Sequence, residues 1–175
     1  MRHTRPRGHR GFAPVVEEVW LRRGTFFEPN VYLAGDSLVD GVPFRYALDL
    51  LAALRGHNVA RNIFTHTHSP CQGSANVVRN VYECETICGA GDQWGLTHSV
   101  HFYNYPPTIS TVLFNVLMEG EPTRVDRLTK TGESFEGFEV IESPGHSLGH
   151  IVLWRESDRT LICGDVLVTR SILRQ

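Results

Sequence analysis

Short apolar runs broken by turn residues dominate the chain, and three of them read as helices. Val15-Val16 with Val19-Trp20-Leu21 predicts a first strand over Pro14–Arg23. Asn30–Leu33 and Ser37–Val39 predict two more, joined at Ala34-Gly35-Asp36, a turn of Gly-Asp type. Between Phe44 and Leu54 the apolar positions Tyr46, Ala47, Leu50, Leu51 and Leu54 have the spacing of an amphipathic helix, which Gly56 ends. Val59–Phe64 then reads as a strand. A helix between strands is the crossover unit of layered α/β folds. Ser74–Cys84 predicts a second helix, with Ser74 as its cap and Val77, Val78, Val81 and Tyr82 on one face. Thr108–Met118 predicts a third. From Arg124 onward strands take over, at Val125–Leu128, Phe138–Ile141, Ile151–Trp154 and Thr160–Cys163. Tight turns separate them, so the second half reads as a largely antiparallel meander.

Chemistry-bearing residues collect where these strands end. Val59–Phe64 runs into Thr65-His66-Thr67-His68, and alternate side chains of an extended segment leave it in one direction. Two imidazoles presented together suit a metal ion, although His-x-His alone is weak evidence. Downstream, Ser143-Pro144-Gly145-His146 places a histidine in a turn after an apolar strand, and Cys163-Gly164-Asp165 places a carboxylate just past another. Three histidines and one aspartate at strand ends form a set that zinc accepts.

These three ordered motifs resemble those of the metallo-β-lactamase-fold hydrolases, over about residues 15 to 170. The family pattern Thr-His-x-His-x-Asp-His, then Pro-Gly-His, then Gly-Asp is matched by Thr65, His66, His68, Pro144, Gly145, His146, Gly164 and Asp165. Pro70 stands where the family has Asp, and Cys71 where it has His. The resemblance implies an α/β fold, the metallo-β-lactamase-like αββα sandwich, here incomplete at its C-terminal end. It implies zinc on His66, His68 and His146, with Asp165 as a further ligand that bridges two metals in dinuclear members. A water activated by that metal would attack an ester, thioester, lactam or phosphate bond of a small-molecule substrate. Only one ion is expected, because proline offers no donor and no histidine follows Asp165. The alternative is a catalytically impaired remnant of the fold that binds a metal or ligand. Cys71 is open to three readings: a thiolate ligand, a nucleophile, or a buried thiol with no part in the chemistry.

Other features change the picture less. Asp40 before Gly41 resembles the Asp-x-Gly that closes the family's opening hairpin. His150 is placed either to support a ligand from behind or to make a structural polar contact. Cys84 and Cys88, four apart, read as apolar residues on one helix face. Gly89-Ala90-Gly91-Asp92 is a weak phosphate-loop candidate, since no clear strand precedes it and no clear helix follows. His98 and His101 read as surface or pocket-lining residues. The insert around Thr108–Met118 lies where related hydrolases carry lid elements.

Composition is that of a soluble globular chain: 175 residues, 41% hydrophobic, 21% charged. Residues 1 to 10 hold Arg2, Arg5, Arg7 and Arg10 and no acid, so 1–13 reads as a basic flexible tail and 14–175 as the domain. Subtracting those four from 17 basic residues leaves 13 against 19 acids, which argues against a nucleic-acid surface. No apolar stretch is long enough to cross a bilayer. Four cysteines without an export signal suit reduced thiols in the cytoplasm. A sheet left open by a short C-terminus is expected to favour self-association.

Overall fold

In a computed structural model, residues 11–25, 28–98 and 118–167 are described. The predicted first strand is a hairpin of two, β1 (Ala13–Val16) and β2 (Val19–Arg22), which turn at Glu17-Glu18 with Glu18 at φ 56°. β3 (Val31–Ala34) and β4 (Ser37–Val39) follow as expected. A 3₁₀ turn at Phe44–Tyr46 leads into α1 (Ala47–Ala53), and β5 (Arg61–Phe64) runs towards His66. Then come α2 (Ser69–Gln72) and α3 (Ala75–Tyr82). Ser74 precedes α3 but makes no side-chain cap. Its hydroxyl accepts the Val42 N–H at 3.0 Å instead, fastening the helix to the loop after β4.

The helix does not reach Cys84. Glu83 takes the left-handed conformation that stops it (φ 53°), and β6 (Glu85–Gly89) follows. Cys84 and Cys88 therefore share no helix face, and Cys88 lies in the strand. The Gly-Ala-Gly-Asp stretch does follow a strand, and it does open a helix, α4 (Gln93–Thr97). The expected Thr108–Met118 helix lies outside the described residues except for Met118. β7 (Arg127–Thr129), β8 (Ser134–Phe135), β9 (Phe138–Glu142), β10 (Ile151–Arg155) and β11 (Thr160–Ile162) complete the set.

Two sheets result. The first runs β1-β2-β3-β4-β5-β6-β7, antiparallel as far as β4 and parallel from β4 to β7. β7 is thus not part of the meander; it adds to the first sheet beside β6. The second sheet, β11-β10-β9-β8, is antiparallel throughout. Alternation along the strands decides which face meets which layer. In β3, Val31 and Leu33 point towards the helices, packing with Leu38, Leu50, Leu54 and Val78. Ala34 points the other way, joining Val39, Ile63 and Ile87 against Phe138, Val140, Ile151 and Leu153 of the second sheet. A smaller cluster of Phe64, Ala75, Cys88 and Leu96 seats α3 and α4. The described residues thus give helix, sheet and sheet in that order. Phe12 also packs on the helix-side core, just ahead of β1.

Both His66 and Asp92 lie where parallel strands end, beyond β5 and β6, and the second sheet brings its own turns to the same edge. Phe138, fully buried between the sheets with the Arg155 guanidinium over its ring, is central to this packing. Its replacement by alanine is expected to cost about 3–5 kcal/mol, read as a lower urea midpoint of the whole chain.

Candidate metal centre

Thr65 is the first residue past β5, and it holds four bonds. Its N–H donates to Asp40 Oδ1 at 2.8 Å, and its hydroxyl lies 2.9 Å from both Asp40 oxygens. Its carbonyl accepts the Ile151 N–H at 2.9 Å, so the start of β10 is tied to the end of β5. Its Oγ1 also lies 3.1 Å from His66 Nδ1. The hydroxyl has one proton, and Asp40 takes it once ionised, above a pKa of about 7. His66 Nδ1 must then carry its own proton and donate, which leaves Nε2 as a lone pair facing the site.

Three imidazoles converge there. The ligand atoms of His66, His68 and His146 all lie within 4.8 Å of one another, with His68 Nδ1 and His146 Nε2 2.9 Å apart. Asp165 Oδ2 stands 3.4 Å from His146 Nε2 and 3.8 Å from His66 Nε2. Burial, then the neighbouring His68, His146 and His150 rings, hold the His66 imidazole well below its ordinary pKa; burial and His146 lower that of His68. Both rings are therefore neutral near pH 7, the form a metal requires. Three imidazole nitrogens with a carboxylate beside them fit a divalent ion.

The carboxylate depends on glycine. Gly164 sits at φ 50°, and a Cβ there would lie 2.6 Å from Thr65 Oγ1 and 2.7 Å from His150 Nε2. Only a residue without a side chain lets the chain turn that closely past both groups. His150 itself holds the turn: its Nε2 accepts the Asp165 N–H at 3.3 Å, so its Nδ1 donates to Ser143 Oγ at 2.8 Å. It stacks on His66 with ring centroids 5.4 Å apart.

Pro70 occupies the first turn of α2, where a missing N–H costs no helical hydrogen bond. Cys71 is buried with Sγ 3.4 Å from His66 Nε2, yet it is not one of the three mutually close donors. Burial, then Asp40 and Asp165, push its thiol pKa well above the ordinary value. That keeps it protonated and argues against the nucleophile reading. His98 stacks on Trp94 with centroids 4.7 Å apart, and His101 lies outside the described residues.

The family model described as the metallo-β-lactamase superfamily matches residues 7–175. The chain belongs to that superfamily. A hydroxyacylglutathione hydrolase from Methylococcus capsulatus is 28% identical over 156 residues, covering 88% of this chain and 50% of that protein. The chain thus spans half the length of this curated relative. Among solved structures, a metallo-β-lactamase from Cronobacter sakazakii superposes with a TM-score of 0.66 at 14% identity, covering 86% of this chain and 62% of that one. A protein crystallised in a di-iron-bound form gives 0.63 at 20% identity, covering 83% and 71%. These likenesses show the shared fold. The superfamily assignment agrees with the motifs at His66, His146 and Asp165. Among the described residues, no helix is long and apolar enough to cross a membrane.

Two aspartates have roles at the site that the motifs did not announce. In the sequence Asp40 reads only as a hairpin residue, and Asp92 only as the end of a weak phosphate-loop candidate. Asp40 is buried, and burial raises its pKa from 3.8 to about 7 against the opposing hydrogen bonds from Thr65. It sets a testable pH dependence in the metal-free protein. His66, His68 and His150 have lowered pKa values when folded. The unfolded chain then binds more protons, and stability falls as pH drops below about 6.5. Asp40 acts oppositely, binding its proton more tightly when folded; its contribution is present at low pH and is lost as pH rises towards 7. Asp40→Asn removes that opposing slope. Urea midpoints of the variant, measured from pH 7 down to 4, are expected to fall more steeply than those of the wild type.

Proposed function

We propose that this chain holds one zinc ion on His66, His68 and His146 and hydrolyses the acyl bond of a small-molecule thioester or ester. The observation that carries the reading is the convergence of three imidazole nitrogens beside Asp165. Zinc is favoured because nitrogen donors with one carboxylate are its ordinary set. A thioester is favoured because the curated relative at 28% identity is named for hydrolysis of hydroxyacylglutathione, an acyl thioester.

When bound at this site, the ion supplies a water of lowered pKa, about 7, and polarises an acyl carbonyl. The chain's own groups do the rest. Thr65, backed by Asp40, keeps the His66 lone pair on the site side. His150 fixes the backbone at Asp165, whose side chain is 46% exposed and open to a substrate. With Pro70 in place of the family's Asp, the proton acceptor in this reading is Asp165, whose Oδ2 lies 3.4 Å from His146 Nε2 and 3.8 Å from His66 Nε2. A placed proton acceptor is worth about 10²–10⁴ in rate. Asp165→Asn is expected to lower turnover by about that factor.

Pro70 and Cys71 favour a second reading, a module that binds zinc or a ligand without turnover. Elemental analysis and a thioester assay on the same purified protein separate the two. One zinc per chain in the wild type, kept in Cys71→Ser and lost in His146→Ala, with turnover that a chelator abolishes, is the expected result. Stoichiometric zinc without hydrolysis of thioester, ester, lactam or phosphate substrates would leave the binding module. Folded protein that takes up no zinc would overturn the metal-dependent hydrolase and leave a fold that binds some other ligand.

A further inference from the structure

The Gly89-Ala90-Gly91-Asp92 turn has no part in the chemistry above, yet it lies between the two loops that carry it. Asp92 is fully buried. Its Oδ2 accepts the Thr67 N–H at 3.0 Å and the Ser147 hydroxyl at 2.7 Å, and its Oδ1 accepts the Gly149 N–H at 2.7 Å. Its backbone carbonyl accepts the Thr67 hydroxyl at 3.1 Å. Thr67 stands between His66 and His68; Ser147 follows His146, and Gly149 precedes His150. One carboxylate therefore joins the segment carrying the first two imidazoles to the segment carrying the third.

Strand pairing leaves both segments loose at this point. β5 stops at Phe64 and β10 starts at Ile151, so no ladder runs through Thr67 or through Ser147 to Gly149. The close fit of the turn shows how tightly the segments are held. A Cβ on Gly149 would lie 2.3 Å from the Asp92 nitrogen, and one on Gly89 would lie 2.1 Å from the Gly149 carbonyl oxygen. A buried carboxylate is costly unless donors surround it, and here three do. Three such bonds on one carboxylate are directional, which suits them to fix the spacing of two loops.

We infer that Asp92 is a positioning residue: it sets the distance of His146 from the His66–His68 pair, and so the affinity of the three-histidine site for its ion. The inference rests on the metal reading given under Proposed function. In the isosteric Asp92→Asn, one acceptor oxygen becomes an NH₂ that opposes the Thr67 or the Gly149 N–H, so the tie to one of the two loops is broken. Ser147→Ala removes one of the three bonds and leaves the carboxylate in place.

Cobalt(II) alone is the probe, titrated into the full chain by its visible absorption and by chelator competition. Asp126→Asn is the control, because Asp126 holds Arg79 and the Thr86 N–H at the opposite ends of the parallel strands. The expected result is a loss of cobalt affinity of about 10–100-fold in Asp92→Asn, the scale on which supporting groups act on bound metals. A smaller loss is expected in Ser147→Ala, with altered d–d bands in both. Asp126→Asn should lower the urea midpoint but keep wild-type affinity and bands. If Asp92→Asn does not fold, Ser147→Ala carries the test. Wild-type affinity and bands in the folded variants would overturn the inference while leaving the metal site standing. No cobalt uptake by the wild type would overturn the metal reading and this inference with it.

Discussion

The bond between the Asp40 carboxylate and Thr65 is the constraint on which the rest of the site depends. Asp40 ends β4 in the left-handed region, at φ 63°, a conformation that aspartate tolerates better than most residues. That twist points its carboxylate across to Thr65, where it meets both the N–H and the hydroxyl. Thr65 passes the constraint in two directions. Its carbonyl holds Ile151 and so anchors the second sheet, while its hydroxyl orients the His66 ring. A buried carboxylate is an expensive device for a turn. Its return here is a fixed tautomer at one histidine and a fixed junction between two sheets.

Much of this architecture is legible in the sequence because it is local. His66, His68, His146 and Asp165 each follow a short apolar strand and sit beside a turn residue, and the order of those motifs carries the family resemblance. β9, β10 and β11 of the second sheet are equally legible, since tight turns separate runs of clear alternation, whereas the two-residue β8 is too short to show any pattern. β6 is not legible either. Glu83 stops α3 in the left-handed region without the glycine that normally signals a helix end, so the apolar residues after it read as more helix. β7 reads as a strand of the meander yet pairs with β6 in the first sheet, because a strand's partner is not written in its own residues. The work of Asp92 was hidden for a related reason. Its partners Thr67 and Ser147 lie 25 and 55 residues away, a separation that no local pattern reports.

Pro70 and Cys71 show how a loop can lose donors and keep its fold. In the first turn of a helix proline is welcome, so its presence leaves α2 undisturbed. Cys71 fills a buried position beside His66 as a small apolar group, with its thiol held protonated by burial and by Asp40 and Asp165. Neither change touches Thr65, Asp40 or Asp92, the groups that place the three imidazoles. The supports of the three-histidine set are therefore separable from the residues at positions 70 and 71.

That separation bears on how the two halves of the chain share the site. The first sheet delivers His66 and His68 on one continuous segment, whose mutual geometry the backbone alone largely dictates. His146 and Asp165 come from different turns of the second sheet, and each needs its own tether: Asp92 for the His146 loop, His150 and Gly164 for the Asp165 turn. Sub-ångström placement is what a metal centre demands of its donors. The sheets meet through apolar contacts that are dense but not directional. Hydrogen bonds at Thr65, Asp92 and His150 add the direction that packing lacks, and they converge on the edge where the imidazoles meet.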